Sequence, residues 1–484
     1  MGGAQSWFGW RTGVRLVFRV QRASRGSLAS DLESPSDSRG HELIGTPSLS
    51  NRGELAFSTP LRVDYDAHSE ALGNLYHPQD NPQGVIPLNV AENTLSWSDL
   101  RHRISRLTAE TQIPDWVPGY TSMLGAPDFR AAAASFLEKH LTTCTLDPDQ
   151  LGVSAGATSV IEMTSFILAD SGDVAVIPAP CYPVYKQDIG NMSGMERYDL
   201  ITHHELSEIR GGPSLSIADL ERAQTEIKRA GKRFRMLILT NPDNPTGGIY
   251  SHQQLLKCTN WCIDHGIHLV VNEIYGLSLI NTKHSVIRED YTEDTVFYSF
   301  ANIMQAKQSD LLHLWYAFSK DLGISGLRVG LVYSQNEAFI RAYGNVNLSH
   351  TVSNYTQWVL QLLMTDTDFM SSYVANNCER LTESYAVVIR HLKELRIPYV
   401  PARGSLFTWL DLSELLVEDT SAAEHDLWLD LYRSAGVLLT PGEGFGHSKK
   451  GLFRLVYPCV SKHDLGTAMD RLSGFVLRKR QGTS

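Results

Sequence analysis

Residues 316–333, YAFSKDLGISGLRVGLVY, join the end of an apolar run to a lysine, a tight Gly/Ser turn and an arginine. The run 311–318, LLHLWYAF, predicts a buried strand that ends just before Lys320. A lysine that forms a Schiff base needs such a water-poor place, where its neutral form is accessible. Ser319 adds a hydroxyl and Arg328 a forked cation, and together these groups can hold a phosphate monoester. An isolated Ser-Lys pair is usually an ordinary surface turn, so the function depends on what the rest of the chain adds.

The composition indicates a large globular chain and argues against several functional classes. With 484 residues, 42% of them hydrophobic and 20% charged, the chain can bury a large core, which we expect to be divided between two domains. A net charge of −10 argues against nucleic acid as a partner, and no apolar run is long enough to predict a membrane span. The six cysteines are too scattered for a disulfide framework, which favours a reducing compartment. No His or Cys pair completes a zinc site, so we expect no metal.

The first sixty residues differ in kind from the rest of the chain. Positions 1–30 carry five arginines and no acid, interleaved with large apolar side chains, which resembles a mitochondrial presequence. Positions 27–59 are rich in Ser, Gly and Pro, which is typical of a disordered linker. We therefore expect 1–60 to be a disordered or targeting extension. The expected location is cytoplasmic, with mitochondrial as the alternative.

From about residue 84 the chain alternates short apolar runs with helical stretches, which predicts an α/β fold around a mostly parallel sheet. We expect strands at 84–90, 173–179, 235–240, 267–271, 312–318 and 329–334, and helices at 129–141, 158–170 and 251–266. Ser251 is the expected N-cap of the last helix and Gly266 its C-cap. The region after 370 mixes helices with short strands, which predicts a second, smaller domain. The expected organisation is an N-terminal arm with part of the small domain at 61–115, a large domain at 116–369 and a C-terminal small domain at 370–484.

Sheets of this kind bind ligands in the loops beyond the carboxyl ends of their strands. The loop 153–162, VSAGATSVIE, leads through Gly156, Ala157 and Thr158 into a helix whose first amides can bind an anion, although it could equally be an unremarkable helix start. The loop 177–185, IPAPCYPVY, holds Tyr182 between prolines, which suits either stacking on a flat heteroaromatic ring or core packing.

Two further loops carry amide and phenol groups. In 241–250, NPDNPTGGIY, the Asn244 amide could donate to a phenolate-type oxygen of such a ring, although a two-proline turn needs no ligand to exist. In 268–276, HLVVNEIYG, a buried strand ends on Asn272, Glu273 and Tyr275.

These motifs together resemble the fold type I, class I/II aminotransferase superfamily that depends on pyridoxal 5′-phosphate (PLP). The resemblance runs over about 84–457 and rests on six motifs in the same order. It implies a large domain whose mostly parallel mixed sheet is flanked by helices, together with a smaller α+β domain. It also implies PLP as cofactor and a small amino-acid substrate.

The resemblance implies roles for single residues. Lys320 would form the Schiff base with PLP and later move a proton, and Arg454, in GLFRLVY, would bind the substrate α-carboxylate. Tyr120 matches a tyrosine that reaches the site of a neighbouring subunit, so the resemblance implies a homodimer with shared active sites. The remaining cofactor contacts would be Gly156, Ala157, Thr158, Ser319 and Arg328 at the phosphate, Tyr182 stacked on the ring, Asn244 and Tyr275 at its 3′ oxygen, and Asn272 near its nitrogen.

Two positions depart from the family pattern. Asn272 replaces an aspartate whose charge keeps the pyridine nitrogen protonated, and a neutral amide cannot do this. Activity could therefore be reduced or redirected, Glu273 or another group could compensate, or the chain could be a PLP-binding pseudoenzyme. Ala317 replaces a phosphate-binding serine, a loss that Ser319 could cover.

Within the superfamily, the chain is most similar to the branch of 1-aminocyclopropane-1-carboxylate synthases, which includes fungal enzymes of secondary metabolism. The stretch 80–95, DNPQGVIPLNVAENTL, resembles a motif of that branch and places Glu92 at a substrate-selecting glutamate, although Glu92 could also be a helix-start residue. The expected activity is an aminotransferase acting on an amino acid or a derived metabolite. The alternatives are a carbon-sulfur lyase, an elimination of the synthase type, or a pseudoenzyme.

If the missing charge at Asn272 limits the reaction, Asn272→Asp is expected to raise turnover, because an aspartate restores a negative group at the ring nitrogen. Steady-state turnover of the two proteins with the same amino donor is the measurement. An unchanged or lower rate would count against a charge deficit.

Overall fold

The computed structural model describes residues 49–58, 62–203, 206 and 213–482. Most of the predicted N-terminal extension lies outside these residues. Residues 49–58 form a unit of their own, in which Asn51–Ser58 is a helix rather than the expected disordered linker. The Ser50 hydroxyl accepts from the Gly53 amide at 3.2 Å, which caps the first turn and favours the helix.

Helices and strands are numbered in chain order. The helices are α1 Asn51–Ser58, α2 Val63–Ala71, α3 Trp97–Glu110, α4 Pro127–His140, α5 Ala157–Leu168, α6 Tyr185–Gly190, α7 Ile217–Arg229, α8 His252–His265, α9 Phe300–Lys307, α10 Phe318–Asp321, α11 Glu337–Val346, α12 Asn354–Thr365, α13 Thr367–Leu395, α14 Ser421–Asp430 and α15 Lys462–Gly482. The strands are β1 Ile86–Pro87, β2 Leu151–Ser154, β3 Val174–Ala179, β4 Glu196–Ile201, β5 Phe234–Thr240, β6 His268–Asn272, β7 Leu312–Ala317, β8 Gly330–Ser334, β9 Tyr399–Val400, β10 Phe407–Asp411, β11 Val437–Leu438, β12 Thr440–Pro441 and β13 Leu452–Val456.

A seven-stranded sheet forms the centre of the fold, in the order β2-β8-β7-β6-β5-β3-β4. Strand β8 runs antiparallel to both of its neighbours, and the other pairs are parallel. Strands β5 to β8 are buried almost throughout, as continuous apolar runs covered on both faces should be. The predicted α/β fold with a mostly parallel mixed sheet is therefore confirmed, and the carboxyl ends of β5, β6 and β7 share one edge.

The chain forms the short strand β1 before the central sheet and a smaller sheet after it. The smaller sheet has the order β12-β13-β10-β9 and is antiparallel. The strand expected at 84–90 shrinks to β1, which pairs in parallel with β11. The Ile86 and Leu88 amides donate to the carbonyls of Gly436 and Leu438 at 2.8 Å each. Pro87 lies between them and has no N–H, so it does not need a partner in this pairing. The predicted domain boundaries stay predictions.

Helix α8 begins and ends as its sequence predicts. Ser251 and Gln254 form a reciprocal capping box, and Gly266 follows the last turn with φ 65°. None of the helices in the described ranges is both long enough and apolar enough to cross a bilayer. The same residues contain no cluster of His, Cys, Asp and Glu side chains that could hold a metal ion.

One close backbone contact fixes the loop before α5 against β8. A Cβ added at Gly330 would lie 2.6 Å from the carbonyl carbon of Gly156, whereas one at Gly326 would meet nothing within 4 Å. Backbone atoms cannot move aside as a flexible side chain can, so the loop approaches the strand only because residue 330 has no side chain.

We expect Gly330→Ala to lower the free energy of unfolding by about 1–3 kcal/mol, because the added methyl forces the loop away from the strand. Gly326→Ala is the matched control and should stay within about 0.5 kcal/mol of the original. Urea unfolding of both variants is the measurement. Equal stabilities for the two would contradict the close contact.

Candidate active site

A cavity of about 190 Å³ lies at the carboxyl ends of β5, β6 and β7, next to the start of α5. It brings together ten of the residues singled out in the sequence. They are Ala157, Thr158, Tyr182, Asn244, Asn272, Tyr275, Ser319, Lys320, Arg328 and Arg454. Segments far apart in the chain therefore converge on one site, as the topology of parallel strands predicts.

Lys320 follows β7 and extends into the cavity from the short helix α10. Its amine donates a hydrogen bond to the Ala91 carbonyl at 2.5 Å. Burial, with a further contribution from the nearby Arg454 guanidinium, lowers the pKa of Lys320 from 10.5 to about 8. At pH 7.5 roughly a quarter of such amines are neutral, compared with about one in a thousand for an ordinary lysine. The site thus provides a nucleophilic amine near neutral pH.

The start of α5 forms an anion-binding end of the cavity. Gly156 caps the helix with φ 91° and no side-chain capping bond, which leaves the first amides without a side-chain partner. The Arg328 guanidinium crosses directly over this turn, and a Cβ at Gly156 would lie 2.4 Å from its Nη2 atom. Ser319 is buried and lines the same region. Helix amides, a hydroxyl and a guanidinium are the donors that a phosphate needs.

Aromatic and amide side chains line the middle of the cavity. Tyr182 packs edge-on against Tyr185, with ring centroids 5.3 Å apart. Tyr275 is buried and packs edge-on against Phe407. Burial raises the pKa of both Tyr182 and Tyr275, which keeps their hydroxyls protonated and able to donate. A flat heteroaromatic ring would fit between such surfaces.

Arg454, on β13, is a buried cation that no carboxylate contacts directly among the described residues. It is 1% exposed, and its Nη atoms donate to Asn244 Oδ1 at 3.1 Å and to the Asn89 carbonyl at 2.9 Å. Its Nε has no hydrogen-bond partner in the described part of the chain. Burial, and then repulsion from Arg62, lowers the pKa of Arg454 to about 10. A buried guanidinium with a free donor is a ready receptor for an incoming anion.

Asn272 ends β6 with both ends of its amide engaged. Its Nδ2 donates to the Tyr185 hydroxyl at 3.0 Å, and its Oδ1 accepts from the Ile274 amide at 3.2 Å. The neighbouring Glu273 points to the other face of the strand, where it accepts from the Ser299 hydroxyl and the Phe300 amide at 2.6 Å each. The hypothesis that Glu273 compensates for Asn272 is therefore wrong in this arrangement.

Three predicted residues lie outside the cavity lining. Gly156 adjoins it through the Arg328 guanidinium that crosses its turn. Glu92 lies on the exposed side of the Lys320 region, where it accepts from the Ser325 hydroxyl at 3.1 Å. Tyr120 is 96% exposed and does not line this chain's own cavity.

Sequence reasoning missed several lining residues, among them Arg62, Tyr65, Tyr185 and Asp188. The Arg62 Nε donates to the buried Asp64 carboxylate at 2.7 Å, and its guanidinium lies 4.8 Å from the centroid of the Tyr65 ring. No motif marks this segment, and its position in the site becomes visible only in three dimensions. Tyr185 could have been predicted from the sequence, because it lies three residues after Tyr182 in the proline-rich loop 177–185.

Comparison with known proteins agrees with this geometry. The sequence profile of the aminotransferase class I and II family matches residues 84–472. A 1-aminocyclopropane-1-carboxylate synthase from Glycine max is 30% identical over 418 residues, which cover 84% of each chain. One from Nicotiana tabacum is 28% identical over 446 residues, or 90% of this chain and 87% of that enzyme.

Solved structures show the same fold. A single mutant of Thermus thermophilus aspartate aminotransferase superposes with a TM-score of 0.69 at 20% identity, covering 89% of this chain and all of that one (100%). The aromatic aminotransferase of Pyrococcus horikoshii gives a TM-score of 0.69 at 18% identity, with coverages of 85% and 99%.

The lowered pKa of Lys320 predicts its chemical reactivity. Because only the neutral amine attacks electrophiles, we expect acetylation of Lys320 in the cofactor-free protein to rise with pH and to reach half its maximum near pH 8. Peptide mass spectrometry after short exposure to acetic anhydride measures this profile. Peptides carrying exposed lysines such as Lys307 report the pH dependence of the reagent itself. A half-maximum above pH 10 would contradict the burial of the amine.

Proposed function

Because the chain belongs to the class I and II aminotransferase family, we propose that it acts at the α-carbon of an amino acid or an amino-acid-derived metabolite, with transamination as its reaction. Members of this family depend on PLP, which, once bound, acts as an electron sink for bonds at the α-carbon. The observation that carries the proposal is the partly neutral Lys320 amine in a cavity that also holds a phosphate-type anion site and a buried arginine.

The residues present fit PLP. Arg328, Ser319 and the first amides of α5 would hold its phosphate, because they form a cradle that a side chain at Gly156 would fill. The ring would pack on Tyr182, and Asn244 and Tyr275 would donate to its oxygen substituent. Lys320 would hold the cofactor covalently, since its amine lies in the same cavity.

Lys320 and Arg454 would act on different parts of the substrate. As a free amine, Lys320 would be the group that removes the α-proton of a bound amino acid, for which a pKa of about 8 is well matched. Arg454 would grip the α-carboxylate through the donor that has no partner in the described chain. Water is excluded on this side by the packing of Arg454 between Phe407 and Phe445, whose ring centroids lie 4.5 and 5.4 Å from the guanidinium carbon.

Elimination is the second candidate reaction, and similarity to 1-aminocyclopropane-1-carboxylate synthases favours it. Glu92 accepts a hydrogen bond from Ser325, and it is the residue we expect to recognise the side chain that carries the leaving group of such a substrate. A protein that binds PLP without turnover is the third candidate, because Asn272 contributes no charge.

We further propose a homodimer in which Tyr120 contributes to the partner's site. In support, Tyr120 is almost fully exposed in the single chain, and Arg328 also lies exposed at the edge of its cavity. Large aromatic side chains are enriched in the buried cores of interfaces.

Reduction by borohydride tests the cofactor linkage. After incubation with PLP and reduction with borohydride, we expect a pyridoxyl adduct on Lys320, found by peptide mass spectrometry and absent in Lys320→Ala. Exposed Lys186, which follows the cavity residue Tyr185 in the chain, provides the matched control Lys186→Ala and should leave the adduct intact. An unmodified Lys320 in folded, PLP-saturated protein would overturn the proposal.

Product analysis then separates the candidates. Keto-acid formation from an amino donor indicates transamination, whereas release of a thiol or thioether with ammonia or a cyclic product indicates elimination. An adduct without turnover of any amino acid would indicate the binding protein.

A further inference from the structure

Asp188 is a buried acid in the cavity wall for which the sequence motifs give no role. It lies on α6, is 5% exposed, and lines the cavity together with Asn272 and Tyr185. Its Oδ2 has no hydrogen-bond partner in the described part of the chain, and no lysine or arginine there forms an ion pair with it. A buried carboxyl group without partners destabilises a fold, so its presence here needs a functional explanation.

The position of Asp188 relates it to Asn272. Asp188 is three residues beyond Tyr185 on one helix, so both side chains lie on the same face of α6. The Tyr185 hydroxyl is the group to which the Asn272 amide donates, at 3.0 Å. Asp188 therefore lines the same wall of the cavity as Asn272, the residue that would lie near the nitrogen of a bound PLP ring.

In the described part of the chain, the charged group that acts on the Asp188 carboxyl is another acid. Glu162 on α5 faces it and pairs with His350 at 3.5 Å, while Tyr182 and Tyr185 are neutral phenols. On the adjacent strand β4, Arg197 is engaged by Asp199 at 2.6 Å. Burial, and then Glu162, raises the pKa of Asp188 to about 7, so the acid can hold or release a proton near neutral pH. A cationic ligand would be the natural partner of its ionised form.

We propose that Asp188 faces the pyridine nitrogen of PLP and supplies the negative charge that Asn272 lacks. This inference rests on the proposed function. The carboxyl proton passes from Asp188 to the nitrogen, so an O–H bond breaks, an N–H bond forms, and a carboxylate faces a pyridinium. Asn272 then serves as a positioning residue that holds Tyr185.

The test uses the full-length protein loaded with PLP labelled with nitrogen-15 at the ring, and reads the nitrogen chemical shift by NMR. We expect the shift of a protonated nitrogen in the original protein at pH 7.5 and that of an unprotonated nitrogen in Asp188→Asn. Asp188→Asn should also weaken PLP binding by about tenfold, as expected for loss of one charge-assisted contact. In the double variant Asp188→Asn/Asn272→Asp, the acid at 272 should restore the protonated shift.

Two controls separate this role from a structural one. Glu162→Gln removes the neighbouring acid outside the cavity lining and should leave the nitrogen shift unchanged. In the PLP-free protein, a raised acid pKa destabilises the fold as pH rises from about 4 to about 7, so Asp188→Asn should be at least as stable as the original protein at pH 8. A residue that mattered only for folding would instead make the variant less stable.

The outcomes also distinguish this inference from the proposed function. A protein that takes up no PLP overturns both. A protein that takes up PLP but has an unprotonated nitrogen, or one whose nitrogen stays protonated in Asp188→Asn, overturns the role of Asp188 alone.

Discussion

The site depends on keeping an amine partly uncharged by surrounding it with positive charge and little water. Lys320 lies in a cavity that Arg62, Arg328 and Arg454 also line, and each of these guanidinium groups lowers its pKa beyond the effect of burial. Since arginine stays protonated, the lysine is the cation that gives up its proton. The same positive groups favour anionic ligands, so one electrostatic arrangement both lowers the pKa of the lysine and attracts negative charge.

The central sheet brings the residues of this site together. Strands β5, β6 and β7 run in parallel and end at one edge, so Asn244, Asn272 and Lys320 converge there although they are far apart in the chain. Arg454 comes from the smaller antiparallel sheet, and its guanidinium is tied to Asn244 of the large sheet's loop by a 3.1 Å hydrogen bond. The Arg454 guanidinium and the loop that lines the cavity at Asn244 are therefore held together by a direct contact.

Much of this site could be predicted from sequence because its main residues occur in short contiguous motifs. Lys320 with Arg328, the turn at Gly156 and the NPDNPTG loop each signal their chemistry locally, and the structure brings them together. Arg62 and Asp188 could not be found in this way, since each lacks a motif and reaches the cavity only through tertiary packing. The strand pattern could have excluded Glu273 as a substitute for Asn272, because adjacent residues at the end of a strand point to opposite faces. The apolar run 84–90 predicted a full strand, but the structure has only the two-residue β1 there. An apolar run is therefore a weak strand signal where a proline interrupts the pairing.

The contact between Arg62 and Asp64 ties the segment just before α2 to the candidate site. Asp64 also accepts from the Asn89 side-chain amide at 2.8 Å, and the Asn89 backbone carbonyl accepts from Arg454 at 2.9 Å, so a chain of hydrogen bonds runs from position 62 to the buried Arg454 guanidinium. A truncation that removes only residues before Arg62 would leave this chain of bonds whole. Trimming even a few residues further would remove the anchor of Asp64 and leave a buried acid without its cation.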